Sequence, residues 1–161
     1  MRAAFFIALL IPVSVFADTE FWLEQLSNNA AQYTAPPDLQ KTMALLTNKD
    51  LKGCRSQLSL SSSASSQYFA VAPIALSSSG TPTFIVFPSK YCYCFFGMHS
   101  VQFWVVAQDK NKTYRLLLSA REDGVKVLSS TTNGYSDLKL YYGTDETNYT
   151  FNGKFYNEEQ L

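Results

Sequence analysis

Charge and histidine are scarce in this chain. Only 16 % of the residues are Asp, Glu, Lys or Arg, thirteen of each sign, and His99 is the one histidine. Such a sparse and balanced charge leaves no basic patch for nucleic acid or for an anionic membrane surface. Long apolar runs are also missing. The longest, Ala3 to Val13, falls short of the roughly 20 residues that cross a bilayer. No glycine-rich phosphate loop, no H-E-x-x-H and no G-x-S-x-G occurs, so neither a cofactor nor a catalytic motif is called for. Repeats of 20 to 50 residues and heptads are absent, which excludes solenoids and coiled coils.

What the N-terminus does contain is Arg2, the apolar run, and Val15-Phe16-Ala17 before the polar Asp18. Small residues at the last and third-last positions after a short apolar run form the pattern of a cleaved secretory signal, residues 1–17. A buried or membrane-anchoring helix is the bland alternative. Asp18 stands where a lipid-modified protein would need Cys, so no stable membrane anchor is expected. The remainder, 18–161, suits a single domain of periplasmic or secreted location with a charge of about −1.

The mature chain divides into a helical part, 18–56, and a sheet, 67–156. Acids in the first turn and the spacing of Phe21, Trp22 and Leu26 predict a short amphipathic helix beginning at Asp18. Pro36-Pro37-Asp38 restarts the chain, and Leu39, Met43 and Leu46 predict a second helix to Thr47. Ser59 to Ser66 and Ser77 to Gly80 read as connectors.

The centre is Thr83 to Leu118, where apolar and β-branched runs broken by Pro, Gly and Ser read as consecutive antiparallel strands. Tyr68 to Leu76 adds a strand bent at Pro73, tolerated mainly at an edge. Beyond the core, Asp123-Gly124, Asn133-Gly134 and Asn152-Gly153 are hairpin signals that delimit Val125 to Ser130, Asp137 to Tyr142, Tyr149 to Phe151 and Lys154 to Tyr156. Turns this close leave no room for crossover helices. The expected class is α+β, mainly antiparallel β: a curved or barrel-like sheet of about seven or eight strands with two short N-terminal helices.

Three cysteines fall in a chain with an export signal, where disulfides persist. Cys92 and Cys94 are two apart and would point to opposite faces of an extended segment, so the economical bridge joins Cys54 to Cys92 or to Cys94. The third thiol is buried, paired with another chain, or reactive. His99 lies five residues after Cys94, which makes that pair a weak nucleophile–base candidate lacking an orienting third group. A zinc site from Cys92, Cys94 and His99 lacks a fourth ligand. Asn111-Lys112-Thr113 and Asn148-Tyr149-Thr150 match the glycosylation acceptor pattern, which matters only in a eukaryotic host. Tyr135, Tyr141, Tyr142, Tyr149 and Tyr156 crowd the C-terminal strands. Cross-strand pairing explains them structurally, and a binding face is the functional reading.

From Phe96 onward, Gly97-Met98-His99-Ser100 after a cysteine, Phe103-Trp104-Val105-Val106 and Tyr114-Arg115-Leu116-Leu117-Leu118 lead into two linked motifs. These are Asn133-Gly134-Tyr135-Ser136-Asp137-Leu138 and Phe151-Asn152-Gly153-Lys154-Phe155-Tyr156. With them the C-terminal 60 or so residues resemble small exported Gram-negative bacterial proteins that carry an N-G-Y-x-D-L and F-x-G-K-x-Y region. Asn152 stands where Asp is expected, and Val101 where a second cysteine often sits. The resemblance implies a bacterial envelope and a β-rich fold, and carries no catalytic residues across.

Export, small size and hydroxyl-rich aromatic strands without a catalytic constellation make a non-enzymatic binding module the first expectation. Its partner would be an envelope or secreted protein, as for an inhibitor or immunity-type factor. The alternatives are a small-ligand or glycan binder in a tyrosine-lined sheet concavity, and an enzyme using a Cys/His dyad.

Overall fold

A computed structural model describes residues 19–33, 35–47, 52, 68–89 and 92–159. The signal-like segment, Cys54 and the serine-rich stretch at 59–66 lie outside the described residues. The chain runs through β1 (Thr19–Trp22), α1 (Leu23–Asn28), α2 (Pro37–Leu46), β2 (Phe69–Ile74), β3 (Thr83–Pro88), β4 (Val101–Gln108), β5 (Tyr114–Glu122), β6 (Gly124–Thr132), β7 (Tyr135–Tyr142), β8 (Asp145–Phe151) and β9 (Tyr156–Glu158). All strand pairing is antiparallel. The strands form two sheets, a five-stranded one in the order β1-β6-β7-β8-β9 and a four-stranded one in the order β2-β3-β4-β5. The mainly antiparallel class matches expectation, but the strands do not close into a barrel.

The four-stranded sheet is apolar on both faces, which is why its strands read as nearly continuous apolar runs rather than as an alternation. Ala70, Ala72, Ile85, Phe87, Phe103 and Val105 point inward to a core shared with Val125, Val127, Leu138, Leu140 and Phe151 of the other sheet. Their neighbours Phe69, Val71, Val86, Trp104 and Val106 point outward, where Leu39 and Met43 of α2, with Phe95, cover them. The rings of Phe69, Phe95 and Trp104 pack mutually at 5.4–5.8 Å. Gln40 fastens α2 by donating to the Phe69 carbonyl at 2.9 Å. Leu46, expected on the buried stripe of α2, is 51 % exposed. A bulge on β5 lets both Leu117 and Leu118 enter the interior despite being adjacent, because Val105 pairs with Leu118 and Val106 with Leu116.

Three expectations change. Thr19–Trp22 is an edge strand paired with β6, so the 18–56 part is not wholly helical and α1 starts only at Leu23. Phe21 and Leu23 alternate inward with a period of two, and pairing with β6 outweighs the weak helical propensity of a short segment. The Asp123-Gly124 step is not a hairpin. With only Asp123 between them, β5 leaves one sheet and β6 enters the other, a corner of the kind that joins packed sheets. Phe151 pairs directly with Tyr156, so Asn152–Phe155 is a four-residue turn and the last strand is Tyr156–Glu158 rather than Lys154 to Tyr156. Pro73, by contrast, sits exposed on an edge strand as its ring requires.

Candidate functional site

The Asp123 corner collects three chain segments at one end of the molecule. Its carbonyl accepts the N–H of Leu23, the first residue of α1, at 3.0 Å. Its N–H donates to the Tyr141 carbonyl at 2.8 Å. Its Oδ2 accepts the N–H of Gly143 at 2.6 Å, which fixes the tight β7–β8 turn, where Gly143 takes a φ of +59°. Oδ1 is buried and makes no hydrogen bond. Beside Asp123, burial and then the Asp123 charge hold the Glu122 carboxyl above the ordinary carboxylate range.

Beside these segments lies an open cleft of about 470 Å³ lined by Trp22, Glu24, Gln25, His99, Val101, Asp123, Tyr142 and Gly143. Trp22 is 44 % and Tyr142 58 % exposed. Glu24, Gln25 and His99 are exposed as well. His99 makes no hydrogen bond or ion pair among the described residues. The lining contains no Lys or Arg, so its polar side chains other than His99 are an amide, two acids and the Trp22 and Tyr142 ring groups. A second groove, beside the β2–β3 connection, is lined by Pro73, Ile74, Leu76, Ser77, Thr81 and Phe84 and has no ionisable group.

Trp22 is held in place from beneath. It pairs across the edge with Gly124, which pairs in turn with Tyr141, so the two rings meet over a residue without a side chain. Their centroids are 5.8 Å apart with planes inclined by 23°. The rest of this outer sheet face is polar, with Glu20 opposite Lys126, Lys126 opposite Lys139, and Lys139 in a 2.6 Å ion pair with Glu146.

The five tyrosines singled out in the sequence do not share a surface. Tyr142 enters the cleft and Tyr141 supports Trp22. Tyr135 lies at the opposite end of β7, about 23 Å away at roughly 3.3 Å per residue, half-buried with its ring 4.3 Å from Phe151. Tyr149 is half-buried, and burial followed by the Glu158 and Glu122 charges holds its phenol above the ordinary value. Tyr156 is buried, and its hydroxyl donates to the Ser136 carbonyl at 2.7 Å. Tyr135, Tyr149 and Tyr156 pack with the apolar core between the sheets.

Cys94 and His99 part company as well. Cys94 packs half-buried against the outer aromatic cluster, whereas His99 lines the cleft. Cys92 is fully buried in that cluster. Among the described residues no group of three or more His, Cys, Asp or Glu is placed to hold a metal ion, and no helix is long and apolar enough to cross a membrane.

Sequence reasoning found His99 and Tyr142 but assigned Trp22 to helix packing and passed over Glu24, Gln25 and Asp123 as site residues. Their convergence depends on β1 pairing with β6, which no local pattern announces. No family model, no curated protein and no solved structure matches this chain.

Proposed function

We propose that the protein is a non-enzymatic binding module exported to the bacterial envelope, and that the cleft at the Asp123 corner is its working surface. The observation that carries this reading is the exposure of Trp22 and Tyr142, both lining the cleft and both on elements tied down by strand pairing and the Asp123 corner. Exposed Trp and Tyr give large contact area at low entropy cost and dominate recognition surfaces. Here the ordering cost is met in advance by strand pairing, the Tyr141 stack and the Asp123 anchor on Gly143.

The concave shape favours an occupant that enters the cleft over the flat protein face of an inhibitor or immunity-type partner, which would need roughly 800 Å² on each side. A Cys/His enzyme finds no support in an arrangement that places Cys94 in the outer cluster and His99 in the cleft. The export reading also frames the cysteines. Cys94 is the partner we assign to Cys54.

The test is capture by the immobilised mature protein from an envelope extract separated into protein, lipid and glycan fractions. One fraction should be retained by the wild type and lost by the Trp22→Ala and Tyr142→Ala variants. Equal retention by all three proteins would remove the cleft from the binding function.

A further inference from the structure

We infer that the cleft binds a neutral glycan of one or two pyranose rings. The inference rests on the binding-module reading and names the class of its ligand. A volume of about 470 Å³ lies in the range of small-molecule sites and suits ring-sized ligands. Pyranoses present two kinds of surface, a face of axial C–H bonds that is apolar and slightly positive, and a rim of hydroxyls that both donate and accept. The cleft offers both complements. Trp22 and Tyr142 supply π faces whose negative quadrupole attracts such C–H groups.

Glu24 accepts, Gln25 donates and accepts, and the His99 imidazole donates, so adjacent hydroxyls on one ring find partners of both kinds. Asp123 acts as a positioning residue. Its outer oxygen is occupied by Gly143 and holds the hairpin that carries Tyr142.

Charge decides against the competing small ligands of one sign. Two carboxylates and no Lys or Arg disfavour phosphates and uronic acids. A quaternary ammonium would be drawn to the same rings and acids. However, the cleft is open and carries amide, imidazole and carboxylate groups rather than forming a dry aromatic cage, and a quaternary ammonium offers these groups no hydrogen bond.

The experiment titrates the mature protein with maltotriose, cellotriose and N,N′,N″-triacetylchitotriose, with trigalacturonate and choline as charged probes, by calorimetry and by tryptophan emission. Trp104 is buried and Trp22 is exposed, so emission changes report the cleft. At least one neutral trisaccharide should bind saturably and shift emission, and Trp22→Ala and Tyr142→Ala should each weaken it about tenfold, equivalent to about 1.4 kcal/mol.

Because Trp22 lies in an edge strand, Tyr142→Ala at the exposed hairpin end decides the matter if Trp22→Ala fails to fold. The inference is overturned if none of the three sugars binds, if Tyr142→Ala binds them unchanged, or if choline or trigalacturonate binds more tightly. Retention of a protein fraction lost in the same variants, with no sugar binding, would overturn the glycan and leave the binding module standing.

Discussion

Trp22 reaches Tyr141 only across Gly124. A β-carbon at that position would lie 3.2 Å from both the Phe21 carbonyl oxygen and the nearest Trp22 ring carbon. Glycine there relieves a tight contact with the neighbouring ring and carbonyl rather than serving a turn. Gly124→Ala should lower the unfolding free energy by about 1 kcal/mol, the low end of overpacking costs, and tilt Trp22 off Tyr141. The denaturant midpoint at unchanged m-value measures the first effect, and near-ultraviolet circular dichroism of the ring pair the second.

Tyr156 joins the core through its ring and the backbone through its hydroxyl. Tyr156→Phe removes the donor to the Ser136 carbonyl and should cost about 1–2 kcal/mol. Burial, then the charges of Asp137 and Tyr135, hold this phenol well above its ordinary value of 10.0. The folded state therefore keeps the proton longer than the unfolded chain. Its stabilisation is complete below about pH 10 and declines as the pH rises through the folded value. Urea midpoints measured from neutral pH to about pH 11 should fall for the wild type and fall less steeply for Tyr156→Phe. Tyr114 and Tyr149, raised in the same direction chiefly by burial, and Lys139, raised chiefly by its hydrogen bond with Glu146, contribute to the slope that remains.

The strands from Thr83 to Leu118 were legible because each is a short apolar run closed by a local breaker, and Asn133-Gly134 was legible because both residues adopt positive φ. Asp123-Gly124 carries the same local signature with a different outcome. Its glycine lies under the ring of a tryptophan about a hundred residues earlier in the chain, and no local rule sees that. Phe21, Trp22 and Leu26 fit a helical period as well as a strand, and only the register with Val125 and Gly124 separates the two. Half of the cleft was missed for the same reason. His99 and Tyr142 stand out by composition, whereas Glu24 and Gln25 become site residues only when α1 is carried to the corner by β1.

The geometry of Asn152 suits either Asn or Asp at the turn before β9. Its Oδ1 accepts the N–H groups of Lys154 and Phe155, each at 2.9 Å, closing the turn before β9. Asp presents the same acceptor, so Asn152→Asp should change stability by no more than about 0.5 kcal/mol. Asn152→Ala leaves both donors to solvent and should cost about 1 kcal/mol. Thermal or denaturant unfolding of the two variants side by side checks the contrast, and equal losses would show that the side-chain acceptor is not what holds the turn.

The cysteines give the sharpest division of roles. A bridge from Cys54 to Cys94 would close about 40 residues and tie the helical segment to the four-stranded sheet, worth about 3–4 kcal/mol by loop-closure entropy. Cys54→Ser and Cys94→Ser should each lose that amount, and the double variant no more than either, because both remove the same constraint. Cys92 sits at 0 % exposure among Phe69, Phe95 and Trp104 and should be alkylated only after unfolding. Non-reducing mass analysis with alkylation before and after denaturation distinguishes the outcomes. Rapid labelling of Cys92 in the folded protein, or a bridge mapped to Cys92, would reverse the assignment and return a reactive thiol to consideration.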